Sequence, residues 1–285
     1  MKLKPTIVNH FNPCFWTAYW NFNYLEAKRK GEKISNPPRE QTVYNLNIKA
    51  NKILLDKTKN IFVQKRAGIA EITSEKEYQK LKENASNQID FPFEEDNLIL
   101  DFENHFTEFE NLSKESIEKT IVFKKIETIE DKTFIALFIL MQSFRNHRNL
   151  DDFISKFIQE GKSKLDLFIE LKNSLTNADK LASSLIPIVF CKWKIYSTKK
   201  PIFPLTDHSV LNKNGNIFFP ISPDLLIEIK IRKKTEEICS YSNKISKWKY
   251  FRFKNRSILY STREIIFGDD EILKDWKRDK RLPTT

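Results

Sequence analysis

The fold of this chain depends on one apolar stretch, Phe134-Ile135-Ala136-Leu137-Phe138-Ile139-Leu140-Met141. It is the longest apolar run of the sequence, and it lies in a segment, residues 131–147, that Asp131 can cap at its start. Because the segment is apolar over most of its surface, the pattern predicts a helix buried at the centre of the domain. The other elements can be placed around this helix.

The segments on either side predict an α+β fold, with a mainly helical core and small antiparallel β elements from the N-terminal and C-terminal thirds. Apolar runs separated by turn signals indicate a hairpin or small meander in residues 40–65 and short strands in residues 200–232. We expect a single domain, residues 1–268, in which these two β parts pair across the sequence. The alternative is an N-terminal hairpin that packs separately from a helical body.

Helical spacing extends over residues 96–197, and its last predicted helix, residues 178–197, contains Pro187, which should kink or restart it. A terminal helix is predicted over residues 252–262. The remaining residues, 269–285, are predicted to be a charged tail.

Composition excludes several classes of protein. The 285 residues are 40% hydrophobic and 31% charged, which is ordinary for a globular protein. Only 5 glycines are present and neither GxxxxGK[ST] nor GxGxxG occurs, which argues against a P-loop or a Rossmann nucleotide fold. No signal peptide or membrane-spanning run is visible, so we expect no membrane association.

The three cysteines, Cys14, Cys191 and Cys239, are widely spaced, and the sequence has no CxxC or HExxH motif. This pattern predicts a reducing, cytoplasmic setting without disulfide bonds, and we assign no metal site. The sequence defines no cofactor, and a divalent metal ion stays an open candidate. Carboxylates of the acidic segment 94–131 are candidate ligands, but a solvated helix face is the favoured explanation for them.

The formal net charge is +11 and is unevenly distributed. Residues 94–131 carry 4 basic and 12 acidic side chains, whereas residues 230–285 carry 16 basic and 8 acidic ones. A basic surface of this kind is typical of proteins that contact RNA or DNA, which are therefore the candidate partners together with a protein partner. The alternative is a proteome that is rich in lysine throughout.

Polar residues stand where apolar runs begin or end in four stretches. These are Asn9-His10-Phe11-Asn12-Pro13, Gln142-Ser143-Phe144-Arg145, Leu205-Thr206-Asp207-His208-Ser209-Val210 and Phe219-Pro220-Ile221-Ser222-Pro223-Asp224. Within them, His10 is a candidate general acid or base, or a phosphate contact, because imidazole ionises near neutral pH. The alternative is a turn histidine that caps the following aromatic helix.

Gln142 and Arg145 are three residues apart and share one helix face. A cation such as Arg145 at the end of a buried helix needs a partner, which can be a carboxylate, helix carbonyls or a bound phosphate. The alternative to a phosphate-binding role is that Arg145 is a simple C-terminal cap of the helix. Asp207 can orient His10 or pair with Arg145, but it can also bond backbone N–H groups in a turn.

A second group of candidates would contact nucleic acid. It consists of Arg148, His208, Lys247, Lys249, Arg252 and Lys254. The last four lie in a segment, residues 247–254, that alternates cations with aromatic rings and can stack bases while binding phosphates. An edge strand with its rings turned inward gives the same pattern.

The four stretches resemble a bacterial family known as domain of unknown function 4238. The matches are His10-Phe11-Asn12-Pro13, the Gln142/Arg145 pair, residues 205–210 and Phe219-Pro220-Ile221-Ser222-Pro223, followed by a terminal helix that begins with Asn at Asn255. The resemblance extends from residue 10 to residue 262. It implies that His10, Arg145 and Asp207 belong to one site, but the family has no established reaction.

The chain departs from the family pattern at Cys14, where Gln or Arg is usual, and at Ala18, where a basic residue is usual. His208-Ser209 replaces the family's Asn-Pro. If these positions touch a ligand, this chain binds a different ligand or has lost activity.

Two main hypotheses follow. The first is a cytoplasmic bacterial hydrolase of phosphodiesters in RNA or DNA, in which His10 is the acid or base, Arg145 stabilises phosphate charge, Gln142 positions it and Asp207 orients His10. By association alone, such small basic proteins are often host-defence effectors against phage. The second hypothesis is a non-catalytic binding module for nucleic acid or protein, whose motifs are structural turns and caps. A small-molecule enzyme is a third.

Overall fold

A computed structural model describes the chain over residues 8–65, 69–72, 74–84, 98–101, 103–145, 147–213 and 215–280. Its helices are α1 Cys14–Thr17, α2 Phe22–Lys30, α3 Glu75–Asn84, α4 Glu103–Phe123, α5 Ile129–Arg145, α6 His147–Gln159, α7 Lys164–Thr176, α8 Ala178–Val189, α9 Lys247–Tyr260 and α10 Asp270–Lys280. Its strands are β1 Val8–His10, β2 Thr42–Asn47, β3 Lys52–Lys57, β4 Val63–Lys65, β5 Ile69–Ile72, β6 Leu98–Asp101, β7 Cys191–Ser197, β8 Leu205–Thr206, β9 Leu211–Lys213, β10 Asn216–Ser222, β11 Leu225–Lys234, β12 Ser240–Ser242 and β13 Glu264–Phe267.

The fold is α+β, as the sequence predicts. A five-stranded sheet has the order β12-β7-β11-β10-β9, and a four-stranded sheet has the order β3-β2-β13-β8. In the second sheet, β2 from the N-terminal third pairs antiparallel with β13 from the C-terminal third, with Asn47 opposite Glu264. Strand β13 lies outside residues 200–232 and separates β2 from β8, so the two predicted β parts share one sheet but do not pair directly with each other.

Helix α5 is the buried helix that the apolar run predicts. Ile135, Ala136, Phe138 and Ile139 are all fully or almost fully buried. The helix packs against α4 and α8, and Phe15 and Trp16 of α1 lie against its Phe138 ring. Over the described ranges, no helix combines the length and apolar composition needed to cross a bilayer.

The helical part of the chain, predicted over residues 96–197, is shorter than predicted at both ends. Residues 98–101 form a strand, paired with β5, and residues 191–197 form the strand β7 instead of the second half of a helix. In β7, Cys191, Trp193 and Ile195 are buried while Lys192 and Lys194 between them are half-buried, which is the two-residue period of a strand. Helix α8 ends at Val189, two residues beyond Pro187.

Two predictions for the C-terminal part are also corrected. The terminal helix begins at Lys247 rather than at residue 252, because the Ser246 hydroxyl caps it by accepting from the Lys249 backbone N–H. The segment is therefore a helix and not an edge strand. The predicted charged tail contains α10, whose Leu273 and Trp276 side chains are fully buried, because charged residues cover only the outer face of this helix.

Candidate functional site

The segment that contains α1 connects the first, third and fourth sequence stretches and packs on α5, the helix that carries the second. The Asn12 side-chain amide donates to the carbonyl oxygen of Thr206 at 2.9 Å, which ties β1 to β8. The Trp16 indole N–H donates to the carbonyl oxygen of Ile221 at 2.9 Å, and its ring stacks on Phe219 with centroids 4.9 Å apart. The same ring lies 5.3 Å from Phe138 of α5. Residues far apart in sequence are thus gathered around one short helix.

His10 ends β1 opposite Val63 of β4 and is half-buried. Burial, together with the positive charges of Arg145 and Arg39, lowers its pKa from 6.5 to about 4. A hydrogen bond with the backbone of Ile61 partly offsets this by raising the pKa. His10 is therefore a neutral imidazole at pH 7.

The Cys14 sulfur lies against the His10 ring, 3.8 Å from Nδ1 and 3.9 Å from Nε2. Nearly equal distances to the two nitrogens mean that the sulfur does not lie along either nitrogen lone pair, so this is a packing contact rather than a directed hydrogen bond. Burial raises the pKa of the Cys14 thiol. The thiol is therefore protonated at neutral pH and is a poor nucleophile.

Arg145, the last residue of α5, is buried and forms an ion pair with Glu110 of α4. Its guanidinium also lies 5.1 Å from the centroid of the Phe106 ring. Burial lowers its pKa to about 9, while the neighbouring Cys14 raises it. Of the partners that the sequence left open for Arg145, the structure supplies a carboxylate.

Gln142 lies three residues before Arg145 on α5 and is only 2% exposed. Among the described residues, neither its Nε2 nor its Oε1 has a hydrogen-bond partner. Leaving a buried amide unpaired costs about 1–3 kcal/mol, so such groups are uncommon outside functional sites or water-binding sites. Gln142 therefore offers both a donor and an acceptor to a bound group.

Asp207 belongs to a different network from the one predicted. Its Oδ2 accepts from the backbone N–H groups of Thr262 at 3.2 Å and Arg263 at 3.1 Å, and from the Thr262 hydroxyl at 3.1 Å. The carboxylate thus bonds backbone N–H groups, as in the turn interpretation, but these lie 55 and 56 residues further on. Burial raises the Asp207 pKa. Glu110 pairs with Arg145 and the Ile61 backbone bonds His10, which are the two roles proposed for Asp207.

Glu264 connects the Asp207 network to His10. Its carboxylate accepts from the Asn45 amide at 3.0 Å and from the backbone N–H of Phe62, and burial together with the Asp207 charge raises its pKa. Phe62 has a φ of 57°, which is a strained conformation for a bulky residue and costs about 1–3 kcal/mol. The preceding residue, Ile61, is the one that bonds His10. Glu264 therefore holds the strained turn that positions the imidazole.

The predicted nucleic-acid contacts are in different environments. Lys249 forms a 2.6 Å ion pair with the buried Glu228, and Lys254 forms a 2.7 Å ion pair with Asp279. The Arg252 guanidinium lies over the Trp248 ring at 4.4 Å. Lys247 is exposed.

The two remaining candidates are on other elements. His208 is 8% exposed and stacks on Tyr260 with centroids 5.2 Å apart. Arg148 falls in α6, but its side chain lies outside the described residues.

Sequence reasoning missed Glu110, Arg39 and Glu264 as members of the site. Within the part of the chain that the structure describes, no group of three or more His, Cys, Asp or Glu side chains could hold a metal ion.

Comparison of the chain with protein-family models, curated proteins and solved structures gives no match. The resemblance to domain of unknown function 4238 therefore stays a prediction.

Proposed function

We propose that the residues around His10 and Arg145 bind a phosphate group of RNA or DNA and hydrolyse the phosphodiester. The observation that supports this most directly is the neutral, half-buried His10 imidazole, on which the charges of Arg145 and Arg39 act. Two cations and a group that can accept a proton suit an anionic substrate that reacts by proton transfer. The net charge of +11 supports a polyanionic substrate.

Phosphate binding would make His10 a better base. The positive charges that lower its pKa would be offset by the phosphate charge, so the imidazole pKa would rise toward neutrality. His10 would then accept a proton from the attacking water while the new P–O bond forms. The P–O bond to the leaving nucleoside breaks, and the leaving oxygen takes a proton from the imidazolium. Arg145 would stabilise charge on the phosphate and Gln142 would orient it.

The cytoplasm of a bacterium is the setting we propose for this activity, because three free thiols are typical of a reducing compartment. A role in defence against phage would be consistent with nuclease activity.

A non-catalytic binding module is the second candidate. It is favoured by the ion pair between Arg145 and Glu110 and by the Asp207 turn, because both give a structural reason for residues of the motifs. On this hypothesis His10 only fills the space beneath the strained turn, and its neutral form has no chemical role.

The experiment is incubation of the purified protein with total RNA, tRNA, single-stranded DNA and double-stranded DNA, in the presence of magnesium, manganese or a chelator. We expect wild type to cleave at least one substrate and His10→Gln, which keeps a neutral polar side chain, not to cleave it. Leu55→Gln on β3 is the control for the substitution, because Leu55 is 61% exposed and belongs to neither group of candidate residues. Equal cleavage by wild type and His10→Gln would refute the proposed site. Salt-sensitive binding without cleavage would favour the second candidate.

A further inference from the structure

Two large aromatic side chains of α9 are exposed to solvent. Trp248 is 63% exposed and Phe251 is 60% exposed, whereas Trp16, Trp20 and Trp193 are fully buried, as is Trp276. The chain has 5 tryptophans, so Trp248 is the one that its fold leaves at the surface. Single exposed apolar residues are common, but adjacent exposed rings mark a binding surface more often than an accident of packing.

The two rings share one face of α9. Residues three and four apart on a helix are neighbours, so Trp248, Phe251 and Arg252 lie side by side. The Arg252 guanidinium is 4.4 Å from the centroid of the Trp248 ring. The opposite face of α9 is buried through Phe253 and Ser257. Because that face anchors the helix to the domain, the exposed face is presented on a rigid support.

The charge around the rings is positive. Helix α9 contains five basic residues and no carboxylate. Lys249 and Lys254 are engaged in ion pairs with Glu228 and Asp279. By contrast, over the described residues no ion pair involves Lys247 or Arg252, which flank the exposed rings. The face therefore combines two exposed rings, of which Trp248 has one side covered by Arg252, with positive charge that no described carboxylate pairs.

We propose that this face of α9 binds single-stranded nucleic acid. Bases would stack on Trp248 and Phe251, and phosphates would lie near Lys247 and Arg252. Two aromatic side chains on one surface can stack two or three bases. Stacking requires unpaired bases, because the faces of bases in a duplex are already covered by their neighbours. This inference depends on the proposed function in one respect. It identifies single strands as the nucleic acid that would reach the candidate site at His10.

The test measures the binding of oligonucleotides to the protein separately from their cleavage. Fluorescence anisotropy of a labelled oligothymidylate and a labelled oligouridylate, each about 12 nucleotides long, is compared with that of a duplex of equal length. His10→Gln protein is used so that no cleavage occurs. We expect the single strands to bind more tightly than the duplex and to quench the fluorescence of the exposed Trp248.

Substitutions separate stacking from general charge. We expect Trp248→Ala and Phe251→Ala each to weaken single-strand binding about tenfold or more. Phe123→Ala on α4 is the matched control, because Phe123 is 61% exposed, and it should leave binding unchanged. Lys247→Gln should reduce the slope of log affinity against log salt by about 0.7. Thermal unfolding of each variant checks that the fold is retained.

Equal binding by wild type and the Trp248→Ala/Phe251→Ala double variant would overturn the inference, as would a duplex that binds as tightly as a single strand. Absence of oligonucleotide binding would also overturn it and would leave the rings to a protein partner. These outcomes are distinct from those of the cleavage assay. Binding that depends on Trp248 and Phe251, without cleavage, would uphold the inference and refute the proposed hydrolase. Cleavage that depends on His10, with binding that does not depend on the two rings, would uphold the hydrolase and refute the inference.

Discussion

Acidification should destabilise this protein through His10. In the folded state its pKa is about 4, whereas the ordinary value is 6.5. Each pKa unit is worth about 1.4 kcal/mol, so the stabilisation by a neutral His10 is about 3 kcal/mol. Because the folded pKa is lowered, this contribution is fully present above pH 6.5, decreases as the pH falls from 6.5 toward 4, and is lost below that.

The variant His10→Gln isolates this effect, because its side chain is polar and does not titrate. Urea unfolding of wild type and His10→Gln is measured at several pH values between 7.5 and 4. We expect wild type to lose about 3 kcal/mol relative to the variant over this range. Asp207 and Glu264 also have shifted pKa values, but they are common to both proteins and cancel in the difference.

A difference between wild type and His10→Gln that stays constant from pH 7.5 to 4 would refute the reasoning. It would mean that His10 is solvated and ionises normally, so that Arg145 and Arg39 do not act on it. Histidine NMR titration gives an independent check, since the chain has only 4 histidines. The His10 resonance should titrate near pH 4 and move toward neutral pH when inorganic phosphate is added.

Three further substitutions test the network around the site. Glu110→Gln should lower the free energy of unfolding by about 3 kcal/mol, because it removes the carboxylate charge that pairs with the buried Arg145, and adding Arg145→Met should recover much of the loss in urea unfolding. Asp207→Ala should cost about 2 kcal/mol, since the N–H groups of Thr262 and Arg263 lose their acceptor, and an unchanged unfolding midpoint would argue against this role. Leu273→Ala should cost about 2–5 kcal/mol by calorimetry or urea unfolding, whereas a free charged tail would show no effect.

The buried helix and the α+β class could be predicted because both depend on local composition. An apolar surface on all sides of residues 134–141 requires burial whatever surrounds it. Strand β7 was mistaken for helix because it follows α8 with a single residue between them, so the apolar pattern continues while its period changes from helix to strand. Helix α10 was missed because only two of its side chains, Leu273 and Trp276, are fully buried.

The site could be predicted only in part, since its contacts join residues that no local pattern connects. His10 and Arg145 were recognised because polar groups at the ends of apolar runs stand out. Glu110 is 35 residues from Arg145, and nothing in the sequence of an acidic helix shows which of its carboxylates meets the buried cation. Asp207 has partners 55 and 56 residues away, so its local sequence indicated a turn but could not indicate which N–H groups it binds.

The pairing of β2 with β13 has a consequence for synthesis of the chain on the ribosome. Asn45 and Glu264, which hydrogen-bond beside this pairing, are 219 residues apart. The hairpin of β2 and β3 emerges early, yet the inner edge of β2 has no partner until β13, more than 200 residues later, has been translated. During that interval its unpaired N–H and C=O groups can recruit strands of other nascent chains, so slow or interrupted translation should favour aggregation.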